Sequence, residues 1–487
     1  NSLANLINGG AGNDFLIGEL GNDIVDGGED HDDLLVYGTG LDIANGGTGD
    51  DALHLNYSDT NDSLTNNGAG WENLAGGRDG SFVAGFDRQV DYTSIERFYI
   101  SAGGGDDDIT TYAGNDEIST GDGNDALYGG DGNDYLDGGA GYDFLDGGAG
   151  ADTVSYYFAS SAIAINLGLT AAQDTGGSGI DTLMHLQNVN GSQFGDTLVG
   201  NAEANVFQGA QANDRLEGGE GNDSLYGGSG KDLLDGGNGN DILEGGSGTD
   251  TASYQSASTG IVVSLDHMGP QDTVGAGTDT LTGIENLKGS AFDDTLTGDS
   301  GANIFHGDGG IDAFYGLDGD DWYYVNHASE TPVETAGNGN DRVLADVSYV
   351  LREGQHIEIL STDNNSGTAK INLTGNRYGQ IIQGNTGNNV LNGGGGIDTF
   401  YGLSGNDWYY VDHPQDKLVE TAGNGTDRVL ASATYALRDG RHVEILSTSD
   451  NNGTQRINLT GNSFNQILQG NAGNKGLVAI KPVPWTI

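Results

Sequence analysis

Along the middle of the chain an apolar side chain returns every ninth residue, at Leu127, Leu136, Leu145 and Val154, with polar residues and Gly between. Nine is neither the helical period of 3.6 nor a sustained alternation. It does fit one short strand followed by one tight turn. From Gly129 to Ser155 the text reads GGDGNDYLD, GGAGYDFLD, GGAGADTVS, that is G-G-x-G-x-D-x-U-x with U apolar. The three residues x-U-x suffice for a strand, and the Gly cluster permits a turn that a Cβ would forbid. Segments between such blocks, Ala162 to Leu167 and Ile261 to Leu265, alternate like half-buried strands. No stretch sustains a helical period with caps, so helix should be scarce. The pattern predicts an all-β fold, an elongated parallel β-roll or β-helix solenoid of nonapeptide turns, with wider β coils between blocks.

Nonamers run from Gly9 to His54 (slipping by one residue at Val36), Ala102 to Ser155, Gly191 to Ser253, Gly289 to Tyr324 and Gly375 to Tyr410. A degraded pair begins at Gly461. The spacers are themselves duplicated. Residues 147–209 recur at 245–307, which maps Asp152 to Asp250, Asp174 to Asp272 and Phe207 to Phe305. Residues 307–392 recur at 393–478, which maps Trp322 to Trp408, His356 to His442 and Glu358 to Glu444. Linkers drift, so duplicated spacers belong to the folded body. The expected units are 1–101, 102–190, 191–288, 289–374 and 375–478, each a repeat block with its spacer. A divergent tail, 479–487, follows; the composition turns apolar and basic from Lys475.

Composition sharpens this. Of 487 residues 88 are Gly, 72 are acidic, 17 are basic and none is Cys, for a net charge of −55. Such charge opposes compaction, and composition alone would suggest disorder, but disorder needs no register and this register persists. Nucleic acid is excluded as a natural partner because the Lys and Arg clusters that bind phosphates are missing. Cations are favoured instead. No apolar run reaches the ~18 residues that span a bilayer, so no transmembrane segment is expected. Asn1 to Asn13 has neither the basic start nor the apolar core of a secretory leader. The absence of Cys excludes a disulfide-stapled domain.

With two nonamers per coil, every second nonamer stacks on the same edge. Asp107, Asp125 and Asp143 form one column, and Asp116, Asp134 and Asp152 the opposite one. Asp196, Asp214, Asp232 and Asp250 repeat the arrangement with Asp223 and Asp241 facing them, as does Asp294 with Asp312. Asp14 and Asp32 pair near the start, with Asp23, Asp42 and Asp51 expected to be disturbed by the slip; later runs add Asp321, Asp398 and Asp407. Carboxylates at strand spacing (~4.8 Å) repel unless a cation lies between turns. Ca²⁺ suits such a site, because it takes 6–8 oxygens in irregular geometry and accepts carbonyls. Mg²⁺ demands near-octahedral ligands, and Zn²⁺ prefers Cys or His. Asn at 205, 303 and 389, Gln at 380 and 466, and Lys475 replace the Asp, so metal strength should fade toward the carboxyl end.

These blocks resemble the repeats-in-toxin family, the secreted calcium-binding proteins of Gram-negative bacteria that carry hemolysin-type G-G-x-G-x-D-x-U-x nonamers. The resemblance implies a parallel β-roll in which the sixth-position Asp and turn carbonyls hold Ca²⁺. It also implies an extracellular or cell-surface location reached by type I secretion. Linkage supplies a mechanism: at submicromolar Ca²⁺ weak sites stay empty and the chain stays open, and at millimolar Ca²⁺ binding becomes folding free energy.

No catalytic signature emerges. Neither H-E-x-x-H nor G-x-S-x-G occurs, and Gly298-Asp-Ser-Gly301 lies in nonamer register. His356 with Glu358, and His442 with Glu444, recur in equivalent places and read as architecture, so no enzyme is expected. In Trp322-Tyr-Tyr324 and Trp408-Tyr-Tyr410 the middle Tyr holds the inward position. The outer rings should be covered by the next spacer, the alternatives being a sugar-stacking platform or a subunit contact. Arg342 and Arg428 are read as neutralising acidic neighbours. The expected function is that of an extracellular calcium-binding β-roll that folds after export and serves as a surface-layer, filament or adhesin component. The rivals are a folding or secretion module of a larger exported enzyme and a polysaccharide-binding module. Beyond calcium, the candidate partners are cell-surface polysaccharide and further copies of the chain.

Overall fold

The computed structural model describes residues 3–66, 71–72, 78–337, 339–473 and 476–479. Lys475 and all but the first residue of the 479–487 tail lie outside the described residues. Every element among the described residues is a β-strand; there is no helix, and so none long and apolar enough to cross a membrane. The chain divides into two compact units, Asn1–Asp250 with Asp279–Gly283, and Thr251–Thr278 with Ile284–Ile487.

The nonamer turns because its second and fourth positions take a backbone that L side chains resist. Gly130 has φ 106° and Gly132 has φ 138°. A Cβ at Gly132 would also collide with the carbonyl of Gly114 on the coil below. Two turns later the chain runs again in the same direction, so strands stack in parallel at a fixed offset. In the first unit Leu127 pairs with Leu145, Leu216 with Leu234 and Leu225 with Leu243, each exactly two nonamers on. The slip in the first block becomes a coil longer by a single residue, which pairs Ile24 with Ile43 and Asp33 with Ala52. Each coil gives one strand to each of two facing sheets, and the U residues fill the space between them. Leu127, Leu136, Leu145 and Val154 are all buried there.

The spacers are wider coils, as their duplication predicts. Leu145 pairs with Leu183 and Leu243 with Leu281, in both cases across a whole spacer. In the second unit Tyr323 pairs with Val343, Val343 with Leu360 and Leu360 with Ile382, over coils of unequal length. The parallel rule fails where links are short. Arg78–Ala84 and Arg88–Ile95 form an antiparallel hairpin, Leu64–Asn66 also runs antiparallel to Arg78–Ala84, and Gln173–Asp174 pairs antiparallel with Ile180–Met184, because parallel strands need a far longer crossover. The second unit carries aromatic rungs: Phe305 and Tyr323 stack at 5.2 Å, with Phe314 beside them. Tyr323 and Tyr409 are buried, at the inward position expected of them.

Candidate metal centres

The sixth-position Asp closes the turn just before the strand, so the coil offset stacks these carboxylates into columns. One oxygen of each has a structural task. Oδ1 of Asp214 accepts the amide N–H of Asp196 at 2.7 Å, Asp232 that of Asp214 at 2.8 Å, and Asp250 that of Asp232 at 2.8 Å. The same bond links Asp107, Asp125 and Asp143; Asp116, Asp134 and Asp152; and Asn205, Asp223 and Asp241. It also links Asp14 to Asp32 and Asp294 to Asp312. The slip does not disturb Asp23, Asp42 and Asp51. Asp42 takes the N–H of Asp23 at 2.7 Å and Asp51 that of Asp32 at 2.8 Å. The extra residue is absorbed earlier in the turn, between Val36, still one ordinary coil from its partner Gly18, and Thr39, whose carbonyl accepts the N–H of Gly21 one residue later than Glu29 accepts that of Gly12.

The second oxygen has no such task. Oδ2 of Asp14, Asp23, Asp32, Asp42, Asp51, Asp107, Asp116, Asp125, Asp134, Asp152, Asp214, Asp223, Asp232, Asp241, Asp312, Asp321, Asp398 and Asp407 is buried without a hydrogen-bond donor. Where the nonamer begins with Gly, this oxygen faces a gap beside that Gly. A Cβ on Gly209 would stand 2.5 Å from Asp214 Oδ2 and 2.6 Å from the carbonyl oxygen of Gly227. On Gly9 the same Cβ would lie 2.5 Å from Asp14 Oδ2 and 2.7 Å from the Gly27 carbonyl. Each gap thus collects acceptors and no donor. That arrangement is costly for a buried carboxylate, which must be paired or bind a metal. The donor set is all oxygen, part carboxylate and part carbonyl, which fits Ca²⁺.

The electrostatics agree. Burial pushes the carboxyls of Asp107, Asp116, Asp241, Asp312, Asp321, Asp398 and Asp407 up to about 7, and like-charged rungs add to the effect. Asp143 and Asp214 are pushed up to about 8 for the same reasons. In every case the amide bond to Oδ1 works in the opposite direction, too weakly to win. Bound Ca²⁺ would supply the missing positive charge, and the turns would hold it with Asp Oδ2 and Gly carbonyls.

Some rungs are satisfied internally. Ser192 donates its N–H and hydroxyl to Asp196, and Ser290 does the same for Asp294. At Asn205, Nδ2 donates to the Gln187 carbonyl at 2.7 Å while Oδ1 accepts the N–H of Asn201. Asn303 and Asn389 repeat this arrangement. The oxygen that faces the gap is there the neutral Oδ1 of Asn, satisfied by a backbone N–H, so no charge is left to be met.

Sequence reasoning missed the carboxylates that continue the columns through the spacers. Asp181 and Asp279 take the N–H of Asp143 and Asp241. The first closes a complete nonamer, Gly176 to Met184, that lies inside a segment read as spacer. Its Oδ2 is held by the hydroxyls of Tyr156 and Thr175. Asp341 and Asp427 take the N–H of Asp321 and Asp407, and Glu358 and Glu444 cap those columns in turn. The signal was present in the degenerate repeat that ends G-N-G-x-D-R-V-L. The carboxyl-terminal half, where fading was expected, holds the three groups of three carboxylates that converge among the described residues. These are Asp321–Glu334–Asp341, Asp398–Asp412–Asp416 and Asp407–Glu420–Asp427, their ligand oxygens within 4.8 Å of one another.

Other candidates resolve into packing. The Arg342 guanidinium lies 4.8 Å over the Trp322 ring, and that of Arg428 lies 5.3 Å over Trp408. These arginines therefore stack on the outer aromatics, where neutralisation of acidic neighbours was expected. His356 packs on Tyr378 and His442 on Phe464.

A solenoid whose turns stack buried aspartates beside glycine carbonyls is the architecture of a calcium-binding repeat protein. The family model of the RTX calcium-binding nonapeptide repeat matches residues 1–34, 101–136, 128–156, 190–225, 217–252, 279–314, 300–326 and 374–410, just under half of the chain. These segments are RTX calcium-binding nonapeptide repeats, as their motifs suggested. No curated protein matches it.

Proposed function

We propose that this protein is an exported, non-enzymatic structural component that becomes compact when it meets millimolar Ca²⁺ outside the cell. The observation that carries this reading is the set of buried, donorless Asp Oδ2 atoms facing turn carbonyls in column after column. At strand spacing two neighbouring carboxylates repel by on the order of 3 kcal/mol at an effective dielectric constant of ~20. A column of them therefore has no reason to close without cations. Sites of ~10⁻⁴–10⁻³ M affinity are empty at cytoplasmic Ca²⁺ and filled outside, so the chain crosses the envelope open and sets on arrival.

Self-association at the surface is the favoured role. Leu6, Ile24 and Ile43 pair in register as an outward apolar ladder, all three exposed. Such ladders mark association surfaces. A polysaccharide platform is less favoured, because Arg342 and Arg428 already occupy faces of Trp322 and Trp408. Circular dichroism and scattering should show a β-rich compact form that chelator expands reversibly, and electron microscopy should show ordered assemblies only with Ca²⁺. Unchanged dimensions after chelation would defeat the folding reading. Dispersed particles at every Ca²⁺ concentration would defeat the assembly reading alone.

A further inference from the structure

In most nonamer gaps the Asp carboxylate faces a neutral Gly carbonyl from the next coil. Two gaps differ. The place that Gly227 holds relative to Gly209, and Gly245 relative to Gly227, is taken beside Gly316 by Glu334. Beside Gly402 the same place is taken by Glu420. The coil from Asp321 to Asp341 is longer than a nonamer pair, as is that from Asp407 to Asp427, which leaves room for a side chain there.

Each glutamate reaches back into the gap. A Cβ on Gly402 would stand 2.5 Å from both Asp407 Oδ2 and Glu420 Oε1. The hydroxyl of the core tyrosine, Tyr323 or Tyr409, donates to Oε1 of its glutamate. The other glutamate oxygen, Oε2, and the Oδ2 of Asp321 and Asp407 are buried without a donor. None of the six carboxylate residues is more than 4 % exposed. Among the described residues no Lys or Arg forms an ion pair with any of them, and the charges that act on them are other carboxylates.

We infer that Asp321–Glu334–Asp341 and Asp407–Glu420–Asp427 are a second class of cation site, in which a glutamate carboxylate replaces the turn carbonyl and a core tyrosine orients it. Such a site takes a hard di- or trivalent cation, Ca²⁺ or a lanthanide. With three carboxylates it binds about tenfold more tightly than the nonapeptide gaps, since affinity in oxygen sites follows ligand charge. The two trios therefore fill first as Ca²⁺ rises. The inference rests on the calcium dependence proposed above, but it is tested separately.

The full chain, stripped with chelator, is titrated with buffered Ca²⁺ and bound ions are counted by equilibrium dialysis and mass spectrometry. In parallel Tb³⁺ is added and its emission is excited through tyrosine. The wild type should show a tight class of two ions, with strong sensitised emission from Tyr323 and Tyr409. Glu334→Gln with Glu420→Gln keeps the acceptor for each tyrosine hydroxyl; it should lose that class while its circular dichroism at saturating Ca²⁺ is retained. Tyr323→Phe with Tyr409→Phe should keep both ions and lose most of the emission of the tight phase. An unchanged tight class in the Gln variant, or unchanged early emission in the Phe variant, overturns the inference. A wild type that binds no Ca²⁺ would instead overturn the reading of the whole protein.

Discussion

Asp214→Asn should change the sign of its effect with calcium. Asp214 is buried, its Oδ1 holds the Asp196 amide, and its Oδ2 faces the Gly227 carbonyl with no donor. Its carboxyl is pushed up to about 8, first by burial and then by Asp196 and Asp232. Asn keeps an acceptor for the Asp196 amide and removes the charge, and Asn205 holds the same place naturally on the opposite column. Without Ca²⁺, above pH 8 where the Asp214 carboxyl is ionised, the variant escapes one buried like-charge contact, a gain on the order of 1–3 kcal/mol at an effective dielectric constant of ~20. With Ca²⁺ at 100-fold over the dissociation constant it forgoes about 2.7 kcal/mol of linkage. For a domain of roughly 250 residues that is about 5–11 °C in melting temperature. Thermal melts by circular dichroism with chelator and with excess Ca²⁺, together with a count of bound ions, decide the matter. The variant should melt higher than wild type in chelator, lower in Ca²⁺, and hold at least one ion fewer. A loss of stability of equal size in both conditions would mean that Asp214 serves packing alone, and the cation account of the columns would fail.

Three further outcomes follow from the same geometry. Asn205→Asp, the mirror change, replaces the amide that bonds the Gln187 carbonyl; it should lower order in chelator and add one bound ion in Ca²⁺, read by the same two measurements. Gly209→Ala places a methyl 2.5 Å from Asp214 Oδ2 and 2.6 Å from the Gly227 carbonyl, at a backbone angle that alanine accepts. It should therefore remove one ion and cost stability in both conditions, more in Ca²⁺, whereas Gly228→Ala, at φ 103°, should cost about 1–3 kcal/mol from backbone strain alone in both conditions. Because Asp107, Asp116 and Asp241 are raised to about 7 and Asp214 to about 8, the calcium-free fold binds more protons than the unfolded chain. What these groups contribute to its stability is then fully present below about pH 4 and is lost as pH rises from there to about 7–8. Calcium must displace those protons, so the Ca²⁺ midpoint should rise on going from pH 8 to pH 6. The rise should be roughly tenfold for a site governed by a group near 7 and roughly fiftyfold for one near 8; a midpoint independent of pH would contradict the burial of these carboxylates.

The stacking of every second nonamer was legible because one period fixes everything local: Gly for the turn, Asp for its close, an apolar residue for the space between sheets. Leu127 over Leu145 and Asp125 over Asp143 needed only counting. The spacers were legible as folded coils through their duplication, but not in their pairing. Their coils share no common length, and which carboxylate caps Asp341 or Asp143 depends on where a widened coil rejoins the stack. The hairpin at Arg78–Ala84 and Arg88–Ile95 was likewise hidden, since a short reversal changes strand direction without altering the apolar alternation.

The hardest distinction concerns which aspartates need a cation, because it is decided by a neighbour elsewhere in the turn. Asp196 and Asp232 occupy the same place in the same column. The backbone N–H of Ser192 reaches Oδ2 of the first and its hydroxyl reaches Oδ1, while at Gly228, where φ is 103°, Oδ2 of the second receives no donor. The positive φ that Gly allows at the second position of the nonamer thus makes the turn and also leaves the carboxylate without that backbone donor. The residue type that lets the backbone close is the one that leaves the carboxylate dependent on metal. Where the chain substitutes Ser at that position, or Asn at the sixth, it makes a rung that stands without calcium. Such rungs, at Asp196, Asn205, Asp294, Asn303 and Asn389, follow three of the wide coils, whereas the coil ending at Ser101 is followed by the donorless Asp107 and Asp116. After those three the stack must restart from an irregular edge, and a rung held by its own hydrogen bonds gives the calcium-dependent rungs that follow a surface on which to close.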